Sequence, residues 1–111
     1  MLNHERRRAE RFSFGMPLTV HWTNGSEKRE AHTVTQDVSS GGLYFFLPEG
    51  IPSGTAVEVE LTLPTQVTLA GPLRVRCRGR ILRCVMRPDE SAGIATVIEK
   101  YEFLSDIEEV A

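Results

Sequence analysis

The 111-residue sequence predicts an all-β domain that closes into a small antiparallel barrel. Three observations support this prediction. Several short segments alternate apolar and polar residues, turns containing glycine or proline separate them regularly, and helical periodicity is almost absent. Six or seven such strands favour a closed barrel, because closure removes the exposed edges of a small sheet. With 41% apolar residues, the chain can form one domain with one modest core.

The first two strands are predicted on either side of an Asn24-Gly25 turn. Apolar residues at every second position from Phe14 to Trp22 give the first strand one buried face, although Pro17 favours an edge or irregular position. Trp22 continues this alternation, so we assign it to the core. The second strand is expected from about Arg29 to Val38.

The third and fourth strands are short, and each ends at a proline. The third extends from Leu43 to Leu47 and the fourth from Val57 to Leu63, with a loop from Gly50 to Gly54 between them. Alternation gives the fourth strand an acidic outer face, formed by Glu58 and Glu60.

The fifth strand has the longest regular alternation and carries a row of arginines. The row consists of Arg74, Arg76, Arg78 and Arg80. After Ile81 the phase reverses, so a β-bulge near Arg80 to Leu82 is predicted to return Leu82, Cys84 and Met86 to the core. The row either pairs with the acidic face of the fourth strand or binds a partner such as nucleic acid. Because the row lacks interleaved aromatic residues, nucleic-acid binding is the weaker alternative.

A last strand is predicted from Ala92 to Ile98. The segment from Tyr101 to Val110 then shows mixed three- and four-residue apolar spacing, which fits a short C-terminal helix. Residues 105–108 have the form of a capping box, which makes Asp106 the latest predicted start of the regular helix.

Several classes of protein are disfavoured by what the sequence lacks. No run approaches the roughly 18 apolar residues of a membrane span, and none follows the basic start as in a signal sequence, so we expect a cytoplasmic protein without membrane insertion. Cys77 and Cys84 share one predicted strand, about 20 Å apart, and are interpreted as buried thiols. Neither a metal-ligand pattern nor a catalytic set is recognisable, so we expect no metal and no enzyme.

Two polar motifs flank the first strand. The first is basic: the first eleven residues hold two glutamates and four arginines, although the whole chain has a net charge of -2. These arginines are Arg6, Arg7, Arg8 and Arg11. Guanidinium groups suit phosphate and the O6/N7 edge of guanine, so this segment is expected to attract a nucleotide.

The second motif, from Asp37 to Gly42, stands where the second strand ends. On a strand, Asp37 and Ser39 project from one face while Val38 points into the core. Gly41 and Gly42 allow a close approach of backbone to ligand, or a positive φ. A carboxylate can accept hydrogen bonds from guanine N1 and N2, so the two motifs together predict a guanine-nucleotide site.

The spacing Arg7-x-x-x-Arg11 followed by Asp37-x-Ser39-x-x-Gly42 resembles the PilZ domain family, over nearly the whole chain. The resemblance implies a six-stranded antiparallel barrel with a short C-terminal helix, covering residues 13–111, preceded by a flexible arginine-rich arm, residues 1–12, that is part of the ligand site. It also implies binding of cyclic di-GMP. One departure from the family is that Gly93-Ile94-Ala95 lacks a frequent aromatic residue, which leaves the far wall of the pocket undefined.

The resemblance also implies how the ligand is held and how the signal is passed on. An arginine at the position of Arg6 tends, in the family, to accompany binding of a stacked cyclic di-GMP dimer, and Arg8 is expected to help only with phosphates. Ordering of the arm would relay the signal to an unidentified effector in motility, polysaccharide synthesis or transcription. We expect a monomer or weak homodimer that binds no DNA. The main alternative is a PilZ-like adaptor that does not bind cyclic di-GMP.

Overall fold

The computed structural model describes residues 15–39 and 41–104, which form a closed barrel of six antiparallel strands. The predicted all-β, six-stranded antiparallel barrel is therefore confirmed. The strands are β1 (Pro17–Asn24), β2 (Glu27–Ser39), β3 (Gly42–Leu47), β4 (Ala56–Leu63), β5 (Leu73–Met86) and β6 (Ala92–Leu104). One helical turn, α1 (Thr65–Thr68), precedes β5. None of the described residues belongs to a helix long and apolar enough to cross a bilayer.

The strands are arranged in the order β1-β2-β3-β6-β5-β4, and pairing of β4 with β1 closes the barrel. The predicted turn after Asn24 is confirmed: Asn24 pairs with Glu27, and Gly25 has a φ of 68°. A positive φ at the first central position is what a two-residue type II′ hairpin requires. Pro17 opens β1, where a missing backbone N–H costs least.

The core fills the interior of the barrel with alternate residues of all six strands, as the period-two pattern predicted. Trp22 and Cys77 are both buried, which confirms their assignment to the core. Burial raises the pKa of the Cys77 thiol to about 11, so this side chain remains a neutral thiol at physiological pH. Cys84 is only partly buried at the edge of the core.

Three strands contain one extra residue relative to a neighbour. On β2, Thr35 pairs with Phe45 and Asp37 with Tyr44, which leaves Gln36 as the bulge. On β5, Ile81 pairs with Thr96 and Arg83 with Ala95, so Leu82 is the extra residue. On β6, Glu99 is extra, because Gly79 pairs with Ile98 and Arg78 with Lys100. These bulges reverse the inward and outward phase of the residues after them.

The bulge on β5 confirms the predicted position but corrects its predicted effect. Leu82 and Met86 are each 57% exposed, so they do not return to the core, whereas Cys84 packs partly against it. Leu82 is itself the bulged residue and turns outward. Met86 pairs with Ala92 at the last position of the ladder between β5 and β6.

The last strand is longer than predicted and replaces the start of the expected helix. Tyr101 and Phe103 pair with Cys77 and Val75 of β5, so the helical interpretation of Tyr101 to Leu104 is wrong. The three-residue spacing of Leu104, Ile107 and Val110 suggested the helix, whereas Tyr101 and Phe103 are two residues apart and continue the alternation of the strand. The capping box at 105–108 and the arm at 1–12 lie outside the described residues.

Candidate functional site

A pocket of about 440 Å³ lies on the outer surface of the barrel, across the neighbouring strands β2, β3, β6 and β5. Its lining contains the four predicted site residues of the second motif: Asp37, Ser39, Gly41 and Gly42. These residues are close together in sequence, in a tight connection, so their proximity was expected. What the fold adds is the surface that faces them from β6 and β5.

Asp37 and Ser39 face outward because of the bulge at Gln36. Thr35 points inward and is buried, and its Oγ1 accepts a hydrogen bond of 2.9 Å from the backbone N–H of Met16. Uninterrupted alternation from Thr35 would therefore turn Asp37 into the core as well. The extra residue resets the phase, so that Val38 is 8% exposed and its two neighbours line the pocket. The predicted facing of this motif is confirmed.

The two glycines of the motif occupy different environments. A Cβ on Gly42 would lie 2.9 Å from the carbonyl oxygen of Thr96 on β6, whereas a Cβ on Gly41 would meet nothing within 4 Å. Neither glycine is among those with positive φ, which are Gly25 and Gly54. Gly42 therefore permits close packing of β3 against β6, and Gly41 leaves open space at the rim of the pocket.

The connection between β2 and β3 is held by short hydrogen bonds. The N–H of Gly41 donates to Oγ of Ser39 over 3.3 Å, and the carbonyl of Gly41 accepts the N–H of Ile98 over 3.1 Å. The second bond ties the motif to β6. The Ser39 hydroxyl retains further capacity to donate or accept toward a ligand, since a hydroxyl offers one donor and two acceptor sites.

Sequence reasoning missed the opposite side of the pocket, which Tyr44, Leu82, Arg83 and Val97 help to line. The ring of Tyr44 packs edge-on against Phe46 with centroids 5.5 Å apart. A Cβ on Gly93 would lie 2.5 Å from the Tyr44 hydroxyl, so Gly93 makes room for this ring. The pairing of β3 with β6 and of β6 with β5 brings these residues together, and no short-range signal in the sequence indicates it.

The predicted arginines Arg6, Arg7, Arg8 and Arg11 lie outside the described residues, but the attachment point of their segment is defined. The backbone of Met16 is fixed to β2, because its carbonyl accepts the N–H of Thr35 over 3.0 Å. Thr35 is two residues before Asp37. The first described residues therefore lie beside the strand that carries Asp37.

Two arginines of the β5 row, Arg76 and Arg80, are paired with carboxylates, and the predicted pairing with the acidic face of β4 is confirmed for Arg76. Nε of Arg76 lies 2.9 Å from Glu58, and its two terminal nitrogens lie 3.6 Å from Glu60 and 3.5 Å from Glu102. The Nε contact is a close charge pair without hydrogen-bond alignment. Arg80 lies 3.1 Å from Glu99. A groove of about 720 Å³ beside Arg76 is lined in part by this ion-paired cluster of Arg76, Glu58 and Glu60.

Together, the fold and the pocket define a small all-β barrel with a polar pocket on its outer surface, at the end of its second strand. The family model of the PilZ domain matches residues 5–109. This chain belongs to the PilZ domain family, whose members generally bind cyclic di-GMP or act as adaptors.

A solved structure with a similar fold is that of the Bacillus subtilis inhibitor of motility, MotI/DgrA, with a TM-score of 0.68. The two sequences are 17% identical, and the match covers 95% of this chain and 47% of that one. The chain thus spans about half the length of that protein, and the likeness shows the fold alone. A search of curated proteins finds no match.

Proposed function

We propose that this protein is a bacterial receptor that binds cyclic di-GMP in the outer pocket and relays the signal to a partner protein. One observation carries the proposal: Asp37 and Ser39 line the same pocket side by side, next to the open space at Gly41. An ionised carboxylate accepts the N1 and N2 hydrogens of guanine, and the neighbouring hydroxyl adds a further hydrogen bond.

The arginine motif supplies the other half of the proposed site. Arg7 and Arg11 would bind guanine edges and phosphates, Arg8 would assist with phosphates, and Arg6 would favour a second, stacked ligand molecule. The attachment of Met16 to β2 supports this arrangement, because it begins the arginine segment beside the strand that carries Asp37. No covalent step is involved, so the proposed activity is recognition without catalysis.

Residues 1–12 form part of the proposed ligand site. When phosphates of the ligand neutralise their arginines, the surface that this segment presents to a partner would change, and that change is the proposed signal. The effector would belong to the motility, polysaccharide-synthesis or transcription machinery in the cytoplasm. The name of the structurally similar inhibitor of motility is a reason to test motility proteins first.

Isothermal titration with cyclic di-GMP tests the proposal. We expect micromolar or tighter binding by the wild type and a loss of about 2 kcal/mol, or roughly thirtyfold in affinity, in Arg11→Ala and in Asp37→Ala, because each removes a charge-assisted hydrogen bond. Arg78→Ala is the control, since it lies on β5 away from the pocket. A stoichiometry of two ligands per chain that falls to one in Arg6→Ala is expected for the stacked dimer.

The second candidate is an adaptor that binds a partner protein without cyclic di-GMP. It is favoured by two aromatic side chains, Tyr101 and Phe103, which are 54% and 59% exposed on β6 beyond the last residue paired with β3. Exposed aromatic residues are common at protein interfaces. No heat from the wild type at micromolar ligand would overturn the receptor proposal and leave the adaptor.

A further inference from the structure

The outer pocket has a cationic wall opposite Asp37, and Arg83 of β5 forms it. Four residues on four adjacent strands lie in one row across the barrel surface, paired in the order Asp37, Tyr44, Ala95 and Arg83. Neighbouring strands are about 4.8 Å apart, so the two ends of this row are separated by roughly 14 Å along the sheet. The pocket therefore presents opposite charges at its two ends.

Arg83 faces the pocket for the same reason that Asp37 does. Ile81 points inward and is 2% exposed, so regular alternation would also turn Arg83 inward. The extra residue Leu82 prevents this and leaves Arg83 exposed on the outer face. Two separate bulges thus direct two charged side chains toward one pocket, which is the arrangement that bulges near binding sites commonly produce.

The surface between the two charges is suited to a ligand that lies across it. Ala95 has a small side chain and lines the pocket next to Arg83, while the Tyr44 ring flanks it on β3. Arg76 and Arg80 on the same strand are paired with carboxylates. By contrast, no carboxylate in residues 15–39 and 41–104 forms an ion pair with Arg83, so its guanidinium is available for an anion.

We infer that Arg83 binds a phosphate of the ligand and makes the pocket selective for a dinucleotide over a mononucleotide. The inference rests on the proposed function, in which Asp37 and Ser39 hold one guanine. A dinucleotide held there extends further across the row toward Arg83 than a mononucleotide does. The planar fork of an arginine can bind two phosphate oxygens at once, whereas a lysine offers a single point charge.

Titration of cyclic di-GMP, with GMP as a competitor, tests this inference on four proteins: wild type, Arg83→Ala, Arg83→Lys and Arg78→Ala. Arg83→Ala is expected to weaken cyclic di-GMP binding at least about tenfold while changing the affinity for GMP little, because only the dinucleotide uses this wall. Arg83→Lys should bind cyclic di-GMP with an intermediate affinity, since it keeps the positive charge but lacks the planar guanidinium fork. Arg78→Ala, the control on the same face of β5, should match the wild type.

The outcomes separate this inference from the receptor proposal. If the wild type binds and Arg83→Ala binds equally well, the inference about Arg83 is overturned and the receptor proposal stands. If Arg83→Ala loses affinity equally for cyclic di-GMP and GMP, the inference that Arg83 selects the dinucleotide is overturned. A wild type that binds neither nucleotide overturns the receptor proposal and this inference with it. Equal melting temperatures of the four proteins would show that a loss of affinity is not due to unfolding. No loss of stability is expected, because Arg83 is exposed.

Discussion

At the scale of single residues, the two adjacent glycines of the second motif, Gly41 and Gly42, differ in what requires a residue without a side chain. Gly42 packs its Cα against the backbone of Thr96, which cannot move without disturbing the ladder between β3 and β6. Gly41 faces open space, so no neighbouring atom of the protein excludes a side chain there, and only a bound ligand would need the space. One glycine is thus required by the fold, whereas the proposed reason for the other is binding.

Substitution by alanine is expected to separate these two roles. Gly42→Ala should lower the free energy of unfolding by about 1–3 kcal/mol, because the new Cβ would sit 2.9 Å from a backbone oxygen. Gly41→Ala is the matched control and should change it by less than about 0.5 kcal/mol. Urea unfolding measures both. Equal stability of the two variants would contradict the assignment of Gly42 to strand packing.

At the scale of strands, Arg76 links three neighbours on the outer face of the barrel. Its guanidinium contacts Glu58 and Glu60 of β4 and Glu102 of β6, so removing it leaves three carboxylates close together. The Arg76 side chain is 32% exposed, so screening by water and salt limits the value of each contact.

The variant Arg76→Gln is expected to lose about 1 kcal/mol of stability at low salt, because three partly screened contacts are lost and the carboxylates then repel. Thermal unfolding at low salt and at roughly 0.5 M NaCl measures this, and the difference from wild type should shrink at high salt. Arg78→Gln is the control. A loss that does not depend on salt would indicate that packing of the side chain, rather than its charge, is responsible.

Periodicity predicted the strands well because it reports which face of each residue is buried. All six strands were placed, including the facing of Asp37 and Ser39. Two errors concern the ends of long strands: the apolar spacing from Leu104 onward made Tyr101 to Leu104 look helical, and the bulge at Leu82 was expected to bury Leu82 and Met86.

The sequence did not predict the part of the pocket on β5 and β6, and the physical reason differs from that of the errors in the strands. Arg83 and Ala95 come next to Asp37 and Tyr44 only through the pairing of β3 with β6 and of β6 with β5, and pairing partners are set by tertiary structure rather than by local pattern. The predicted bulge on β5 bears only on which way Arg83 faces, because a bulge redirects the residues that follow it, and it says nothing of which residues become its neighbours.

At the scale of the whole molecule, the proposed ligand should stabilise the barrel, because it contacts only the folded state. At a concentration about 100 times the dissociation constant the stabilisation is about 2.7 kcal/mol, which raises the melting temperature of a domain of this size by roughly 10 °C. Thermal unfolding with cyclic di-GMP measures the shift, and Asp37→Ala should lose most of it. GMP at the same concentration is the control ligand. An unchanged melting temperature in wild type despite measurable binding heat would contradict a site built from four strands.

The strand order has a consequence for how the protein is made. Hairpin pairing joins β1, β2 and β3 into one meander and β4, β5 and β6 into another, and only two seams, β3 with β6 and β1 with β4, unite them. Each meander exposes an apolar inner face until the other covers it, and the seam between β3 and β6 forms only after the last strand has been synthesised. Asp37 and Tyr44 belong to the first meander and Ala95 and Arg83 to the second. The pocket therefore comes into existence only when the barrel closes, and a half-folded chain offers no complete pocket to a ligand.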